Sequence, residues 1–240
     1  MKKLLFLLLA LSWPALQALQ AQTSLSKADQ KTLIYLAEEE KVVRDFYQAM
    51  EAKWEATVFS HIAGAEQRHF NRAVDAAASL GIELPGSLAA DKPGEFQNKE
   101  LQQFYDELMA SGSQSLEAAL RAGARAEETD IRDLKQALET TQNETIRTTY
   151  QYLLEASGNH LRAFHKNLAA QGVTYRPVVL AQADFDAIIA VGEKGQGCQG
   201  QKGQQGEACC QKKGGQKGQC CQGAQKGNCQ GKGKGKQSLN

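Results

Sequence analysis

Three patterns are missing from most of this chain of 240 residues. There is no cysteine before Cys198, which confines any disulfide or thiolate chemistry to the C-terminal end. The alternation of polar and apolar residues that marks a β-strand is absent, which argues against a sheet protein. Beyond the first residues, no apolar run approaches the ~20 residues that cross a membrane, so we expect no membrane span in the mature chain.

The N-terminal end has the composition of a secretory signal peptide. Two lysines precede a short apolar run over residues 4–11, and small residues follow at Ala18 and Ala21. The run is shorter than the ~20 apolar residues of a membrane-spanning helix. This favours a signal peptide cleaved near Ala21 over a retained anchor helix. No cysteine lies at the expected cleavage point, so a lipoprotein anchor is not indicated. We expect residues 1–21 to be a signal peptide and the protein to be exported, to the periplasm or the extracellular space.

The C-terminal segment, residues 192–240, consists largely of Gly, Gln, Lys and Cys, with one leucine and no aromatic residue. Such a segment buries too little apolar surface to offset its ordering entropy, which predicts a disordered tail. It carries nine Lys against two Glu, a net charge of +7. Because the whole chain has +1 and the signal region +2, residues 22–191 carry −8. The sequence therefore joins an acidic domain to a basic tail.

Three roles remain open for the six cysteines, all of which lie in this tail. Cys209–Cys210 and Cys220–Cys221 are adjacent pairs and do not have the C-x-x-C spacing of a zinc knuckle. Disulfide formation is the default in an exported chain. Thiolate capture of a soft metal, copper(I) or zinc, is the second role, and a basic adhesive or solubilising segment with incidental cysteines is the third.

Helical periodicity dominates residues 22–191, a length that suits a single domain with one core. A short helix near 99–110 lies in a long connection, and a small helix near 184–191 closes the domain. Two hairpins joined by this connection predict an all-α four-helix bundle with one long crossover. The four long helices are expected at about Ser26–Ala52, Val58–Leu80, Leu116–Thr140 and Glu144–Gln171.

Each long helix interrupts its apolar seam with polar residues near its middle. On the second helix, Glu66 and His69 lie three residues apart on the face that also carries Phe59, Ile62 and Ala73. A carboxylate and an imidazole in a core are costly without partners, and a metal ion satisfies both. The sequence therefore predicts a metal site in one layer of the bundle. Its candidate ligands are Glu40, Glu66, His69, Glu127, Asp130 and His160.

A simpler alternative is that some seam positions are displaced by one residue and these side chains are solvated. Glu38, Glu39 and Glu40 are consecutive, so we expect at least two of the three to be exposed. Glu128 is the rival of Glu127, which fits the seam better. Arg44 is expected to form an ion pair with Glu40 within the first helix. His61 and His165 lie off the seams, where exposure is expected.

These residues resemble those of a known family. Glu40, Arg44 and Tyr47, taken with the segment Glu66-Gln67-Arg68-His69, resemble the first helix pair of rubrerythrin and other ferritin-like di-iron proteins. More closely, the domain resembles the ferritin-like proteins of the DUF2202 family over roughly residues 28–190. The matching stretches are 38–41, 65–69, 127–131 and 157–164. The resemblance implies an up-down bundle with a dinuclear metal site.

The resemblance also implies a role for each candidate ligand. It makes Glu40 a terminal carboxylate, Glu66 a bridging or bidentate one, His69 and His160 nitrogen ligands, Glu127 the third-helix carboxylate and Asp130 an auxiliary ligand. The family pattern has a Glu three residues before the last His, and Ser157 stands there in this chain. Either Asp130 replaces the missing carboxylate, or the site holds a single metal or binds metal more weakly.

Three functions remain open. In the first, the protein is an oxidoreductase of ferroxidase or peroxidase type, whose two iron ions act on oxygen, peroxide or Fe(II); manganese or zinc are the alternative ions. In the second, it is a non-enzymatic metal-binding or metal-sequestering protein of the cell envelope. In the third, it is a structural bundle with a vestigial site. The expected partners are metal ions and a small oxidant, a homodimer is one open arrangement, and no nucleic acid is indicated.

Overall fold

The computed structural model describes residues 25–193 of the chain. Within this range the protein forms helices and no β-strand, which confirms the all-α fold. The predicted signal peptide, and the tail with its cysteines beyond residue 193, lie outside the described residues. The helices are α1 (Lys27–Trp54), α2 (Thr57–Ser79), α3 (Gly86–Ala90), α4 (Lys99–Gly112), α5 (Leu116–Thr140), α6 (Glu144–Ala170) and α7 (Gln182–Glu193).

Local signals set the ends of these helices. The Ser26 hydroxyl accepts a hydrogen bond from the Asp29 amide at 2.9 Å, and the Asp29 carboxylate accepts one from the Ser26 amide, so a capping box starts α1. The side-chain oxygen of Asn98 caps α4 by accepting the backbone amides of Glu100 and Leu101. Gly81 and Gly172 follow α2 and α6 with φ of 68° and 74°, a left-handed conformation that glycine adopts without strain.

Four helices form the bundle, and each packs against two others in the cyclic order α1, α2, α6, α5. Neighbours run antiparallel: along α1 and α5, for example, Tyr35 lies near Asp133 whereas Tyr47 lies near Glu127. The helices α1 and α6 therefore run in one direction and α2 and α5 in the other. The connection from α2 to α5 must return along the bundle, and α4 within it packs against α1 and α5. No helix among residues 25–193 is long and apolar enough to span a membrane.

The apolar core is divided into two clusters of buried side chains. One includes Tyr47, Phe59 and Phe164, whose ring centroids lie 5.2–6.1 Å apart. The other includes Leu36 and Leu153. The predicted polar layer lies between these clusters along the bundle, so it is covered at both ends by apolar side chains.

The structure corrects the expected partner of Arg44. This guanidinium is buried and does not pair with Glu40; its Nε donates to Asp45 at 2.9 Å and its Nη1 to Gln67 and Asp91 at 2.9 and 3.1 Å. Asp91 lies just after α3, a short helix that the sequence pattern did not predict. Arg44 therefore ties the start of the crossover to α1, and Glu40 stays free to face the polar layer.

Lys41 holds the same crossover to α1 from a fully buried position. Its ammonium group donates to the Asp45 carboxylate at 2.7 Å and to the Lys92 carbonyl at 2.6 Å, and it lies 4.4 Å from the centre of the Phe96 ring. The Asp45 carboxylate in turn accepts the Gly94 amide at 2.9 Å. Because each buried charge here has a partner of opposite charge or a hydrogen bond, the segment can cover α1 without leaving an unpaired ion.

Replacing Gly123 by alanine should lower the free energy of unfolding by about 1–3 kcal/mol. A Cβ at this position would lie 2.6 Å from ring atoms of Phe164 in the packed core. Gly64 is the matched control, since the nearest atom to its Cβ would be 4.0 Å away, and Gly64→Ala should stabilise α2 by about 0.5–1 kcal/mol. Urea unfolding followed by circular dichroism measures both variants. Equal effects at the two positions would contradict the tight contact between α5 and α6.

Candidate metal centre

Glu66 lies at the middle of the polar layer and contacts two imidazoles. Its Oε2 is 2.6 Å from Nδ1 of His69, which follows three residues later on the same face of α2. Its Oε1 is 2.7 Å from Nδ1 of His160, which comes from the antiparallel helix α6. The two imidazole rings are nearly parallel, with centroids 5.3 Å apart. Each oxygen of one buried carboxylate therefore faces a different nitrogen.

Each imidazole also faces a second carboxylate from another helix. Nδ1 of His69 lies 3.4 Å from Oε2 of Glu40 on α1, and Nδ1 of His160 lies 3.6 Å from Oε2 of Glu127 on α5. The layer thus contains two similar groups, each with one nitrogen and two carboxylates, and the two groups share Glu66. The atoms of Glu66, His69 and His160 that could bind one metal ion all lie within 4.8 Å of one another.

Two hydroxyl groups hold the carboxylates of α5 in place. The Tyr47 hydroxyl donates to Oε1 of Glu127 at 2.6 Å, which leaves Oε2 directed toward His160. The Ser157 hydroxyl donates to Oδ2 of Asp130. Ser157 occupies the position at which the resemblance predicted a glutamate, and Asp130 brings a carboxylate to this point from α5. Hydrogen bonds from side chains that do not bind the metal themselves orient the groups that do.

Burial raises the pKa of most carboxyl groups in the layer. The pKa of Glu40 rises from 4.5 to about 8, and those of Glu127 and Asp130 rise in the same direction for the same reason. Glu66 differs: burial acts to raise its pKa, but the positive charges of the nearby His160 and His69, with the hydrogen bond to His69, outweigh burial and lower it.

The two imidazoles have raised pKa values. Burial acts to lower the pKa of His69, but its hydrogen bond to Glu66 and the negative charges of Glu66 and Glu40 raise it from 6.5 to about 10. The pKa of His160 is raised well above its ordinary value, because Glu66 and Glu127 outweigh burial. In the metal-free protein, the carboxyl and imidazole groups of the layer therefore bind protons. A metal cation would replace these protons and neutralise the carboxylates instead.

Several polar atoms of the layer have no hydrogen-bond partner among the described residues. They include both oxygens of Glu40, Oδ1 of Asp130 and Nδ1 of His160, which faces Glu66 at 2.7 Å without the angles of a hydrogen bond. An unpaired buried polar group costs about 1–3 kcal/mol, so several in one place call for a common partner. A divalent cation accepts both carboxylate oxygen and imidazole nitrogen, and the donor set fits it.

All six predicted ligands lie in this layer or line it, and their ligation of a metal stays a prediction. The expectation about the acidic run of α1 was wrong, because Glu38, Glu39 and Glu40 are all buried, at 4%, 0% and 1% exposure. Glu38 accepts the amides of Gln97 and Asn98 in the crossover, and Glu40 faces His69. The helix periodicity assumed one buried face, whereas α2, α4, α5 and the crossover together cover α1.

Glu128, the rival of Glu127, faces a different part of the molecule. It is fully buried and accepts the Tyr175 hydroxyl at 2.5 Å and the backbone amides of Val179 and Leu180 at 2.7 and 2.8 Å. This carboxylate holds the segment between α6 and α7 against α5. As expected, His61 is exposed, whereas His165 is half-buried, with its ring edge-on to Phe185.

The fold and the layer define an all-helical bundle protein with a candidate glutamate–histidine metal site, and comparison with known proteins places it in a family. The family described as "Uncharacterized protein domain (DUF2202)" matches residues 29–192, and the chain belongs to this family.

A relative from Methanocaldococcus jannaschii, the uncharacterized protein MJ0754, is 34% identical over 168 residues, which cover 69% of this chain and 89% of the relative. The crystal structure of hypothetical protein MJ0754 is similar to this structure, with a TM-score of 0.67 and 33% identity. The match covers 69% of this chain and 93% of that chain.

Replacing Glu127 by alanine should reduce the metal content, whereas Glu128→Ala should leave it unchanged. Glu128→Ala should instead lower the free energy of unfolding by about 1–3 kcal/mol, because backbone amides lose their acceptor. Metal analysis and urea unfolding of the two adjacent variants separate the effects. Loss of metal in Glu128→Ala alone would show that the register of α5 differs by one residue.

Chelation should lower the melting temperature more at about pH 8 than at about pH 6. Between pH 4.5 and about pH 10, the folded metal-free protein holds protons on Glu40 and His69 that the unfolded chain has released. The free energy of unfolding of the metal-free protein therefore falls as pH rises through this range. Metal binding displaces these protons and strengthens as pH rises. Each kcal/mol of metal-dependent stability should shift the melting temperature by about 2–4 °C. Calorimetry with and without chelator tests this, and an equal shift at both pH values would contradict it.

Proposed function

We propose that this protein binds two metal ions in the polar layer and is a ferritin-like di-iron protein that reacts with oxygen, peroxide or Fe(II). One observation carries the proposal: the two oxygens of Glu66 face the Nδ1 atoms of two different histidines, at 2.6 and 2.7 Å. A carboxylate placed between two nitrogen ligands is suited to bridge two cations. The bundle with one long crossover, and the contribution of side chains from all four helices, support the ferritin-like assignment.

In the proposed site the ligands divide into two sets that share Glu66. Glu40 and His69 complete the first set, and Glu127 and His160 complete the second. Asp130, held by Ser157, is the auxiliary carboxylate that replaces the missing α6 glutamate. Two adjacent iron ions would supply two electrons to an O–O bond, and carboxylate ligands stabilise the ferric state.

The residues around the layer control orientation and access. The Tyr47 hydroxyl fixes Glu127, and the apolar clusters on either side exclude water along the bundle axis. The side chain of His160 is 11% exposed, more than that of His69 at 3%. Tyr152, which is 41% exposed, places its ring edge against His69 at 5.8 Å between centroids. A small oxidant would therefore reach the layer most readily from the side of His160, the more exposed of the two imidazoles.

A second candidate function is metal binding without turnover in the cell envelope. Ser157 favours it, because a hydroxyl stands where a second bridging carboxylate would lie, and this lowers the negative charge available to stabilise ferric iron. Export, in either case, rests on the composition of residues 1–21.

The test is metal analysis of the full-length protein loaded anaerobically with Fe(II). The wild-type chain should bind two iron ions in the layer, and Glu66→Ala combined with His69→Ala should lose both. The matched control combines Glu83→Ala with His61→Ala, which removes the same residue types from exposed positions of the same region. If the first double variant retained the wild-type iron content, the site would lie elsewhere.

Adding oxygen or peroxide to the iron-loaded protein separates the two candidate functions. A di-iron oxidoreductase should convert Fe(II) to Fe(III) with matching consumption of the oxidant, faster than the first double variant. Wild-type protein that binds two iron ions but oxidises them no faster than that variant would favour metal binding without turnover.

A further inference from the structure

Glu39 is a buried acid that the proposed pair of metal ions does not use. Its side chain is 0% exposed, and neither of its oxygens has a hydrogen-bond partner among the described residues. The neighbouring acids of α1 differ, since Glu38 accepts backbone amides and Glu40 faces His69. A protonated carboxyl would still need an acceptor for its hydroxyl, so protonation alone does not satisfy Glu39.

Two contacts between α1 and α5 fix where Glu39 lies. The Tyr35 hydroxyl is 3.4 Å from Oδ2 of Asp133, and the Tyr47 hydroxyl is 2.6 Å from Oε1 of Glu127. On α1, Glu39 lies one helical turn after Tyr35, between the two contacts. On α5, Asp130 lies between the same contacts, one turn from Glu127 and one turn from Asp133. Glu39 and Asp130 therefore lie at about the same level of the interface between the two antiparallel helices.

Asp130 contributes an unpaired oxygen to this interface. Its Oδ2 accepts the Ser157 hydroxyl, whereas its Oδ1 has no partner within the described range, and the residue is 3% exposed. The nearby cation Arg132 is half-exposed and pairs with Asp133 at 2.6 Å. Three buried carboxylate oxygens, two from Glu39 and one from Asp130, are thus left without a protein partner.

We propose that Glu39 and Oδ1 of Asp130 form an additional, oxygen-only position for a hard divalent cation such as Mn²⁺, at the interface of α1 and α5. Carboxylate oxygens and water are the ligands that such ions prefer, and no imidazole is needed. The position is distinct from the two sets that contain His69 and His160. This additional position rests on the proposed function only through Asp130, which lies between the histidine-containing layer and Glu39.

The test is Mn²⁺ binding by the full-length protein, measured by equilibrium dialysis. Manganese is the probe because thiolates, which the tail could offer, prefer softer metals. Glu39→Gln keeps the shape of the side chain and removes its charge, and it should bind one Mn²⁺ fewer than the wild-type chain. Glu128→Gln is the matched control, a buried α5 glutamate that backbone amides satisfy, and it should keep the wild-type Mn²⁺ content.

The metal-free stability of the same variant is the second measurement. Removing an unpaired buried carboxylate should leave the melting temperature of the metal-free chain unchanged or raise it. If Glu39→Gln failed to fold, Glu39→Met would carry the same comparison, since it fills the same space with an apolar side chain.

The outcomes separate this inference from the proposed function. Wild-type Mn²⁺ content in Glu39→Gln, or no Mn²⁺ binding by the wild-type chain, would overturn the additional position. The dinuclear proposal would still stand if the Glu66→Ala and His69→Ala combination lost its iron. Conversely, if that combination kept its iron while Glu39→Gln lost one Mn²⁺, the dinuclear proposal would fail and the additional position would remain.

Discussion

The contact of one buried carboxylate, Glu66, with two histidines is the interaction on which the rest of the site depends. Glu66 and His69 share a face of α2, and His160 approaches from α6, so the pairing requires these helices to pack in register. Glu40 and Glu127 then complete the layer from α1 and α5. Burying so many ionisable groups together is unfavourable unless protons or cations neutralise them, which couples the stability of the bundle to its occupancy.

The burial of α1 follows from the crossover that covers it. Lys41, Arg44 and Asp45 bind the segment between α2 and α4 through carbonyl, carboxylate and amide groups. This network encloses the helix beyond the face that packs on α2. As a result, α1 presents Glu40 to the histidines and Glu39 to α5, and the acidic run becomes part of the interior. The fold and the chemistry of the layer are therefore set by the same packing.

Much of this architecture could be predicted from the sequence, because local rules determine it. The four long helices begin and end within two residues of their expected bounds. Ser26 and Asn98, residue types that commonly cap helices, cap α1 and α4. Seam periodicity also placed the six candidate ligands at one level. The ligand roles, the export of the chain and the tail remain predictions, since no structural observation among residues 25–193 tests them.

The features that the sequence did not reveal depend on contacts between distant residues. Glu39 is buried because α5 packs against α1. Arg44 binds Asp91 and not Glu40, because the crossover returns to α1 and brings Asp91 within reach. Glu128 is held by backbone amides about 50 residues away in the chain, which no local pattern encodes. Periodicity identifies which side chains share a face, but the number of neighbours that cover a helix is decided by the tertiary fold.

The most direct test of the central claim is a crystal structure of the iron-loaded protein with anomalous scattering measured at the iron edge. Two iron peaks about 3.5–4 Å apart are expected, one on each side of the Glu66 carboxylate. One peak should lie beside Nδ1 of His69 and the other beside Nδ1 of His160. A single peak in the layer, or iron bound only outside it, would contradict a dinuclear site bridged by Glu66.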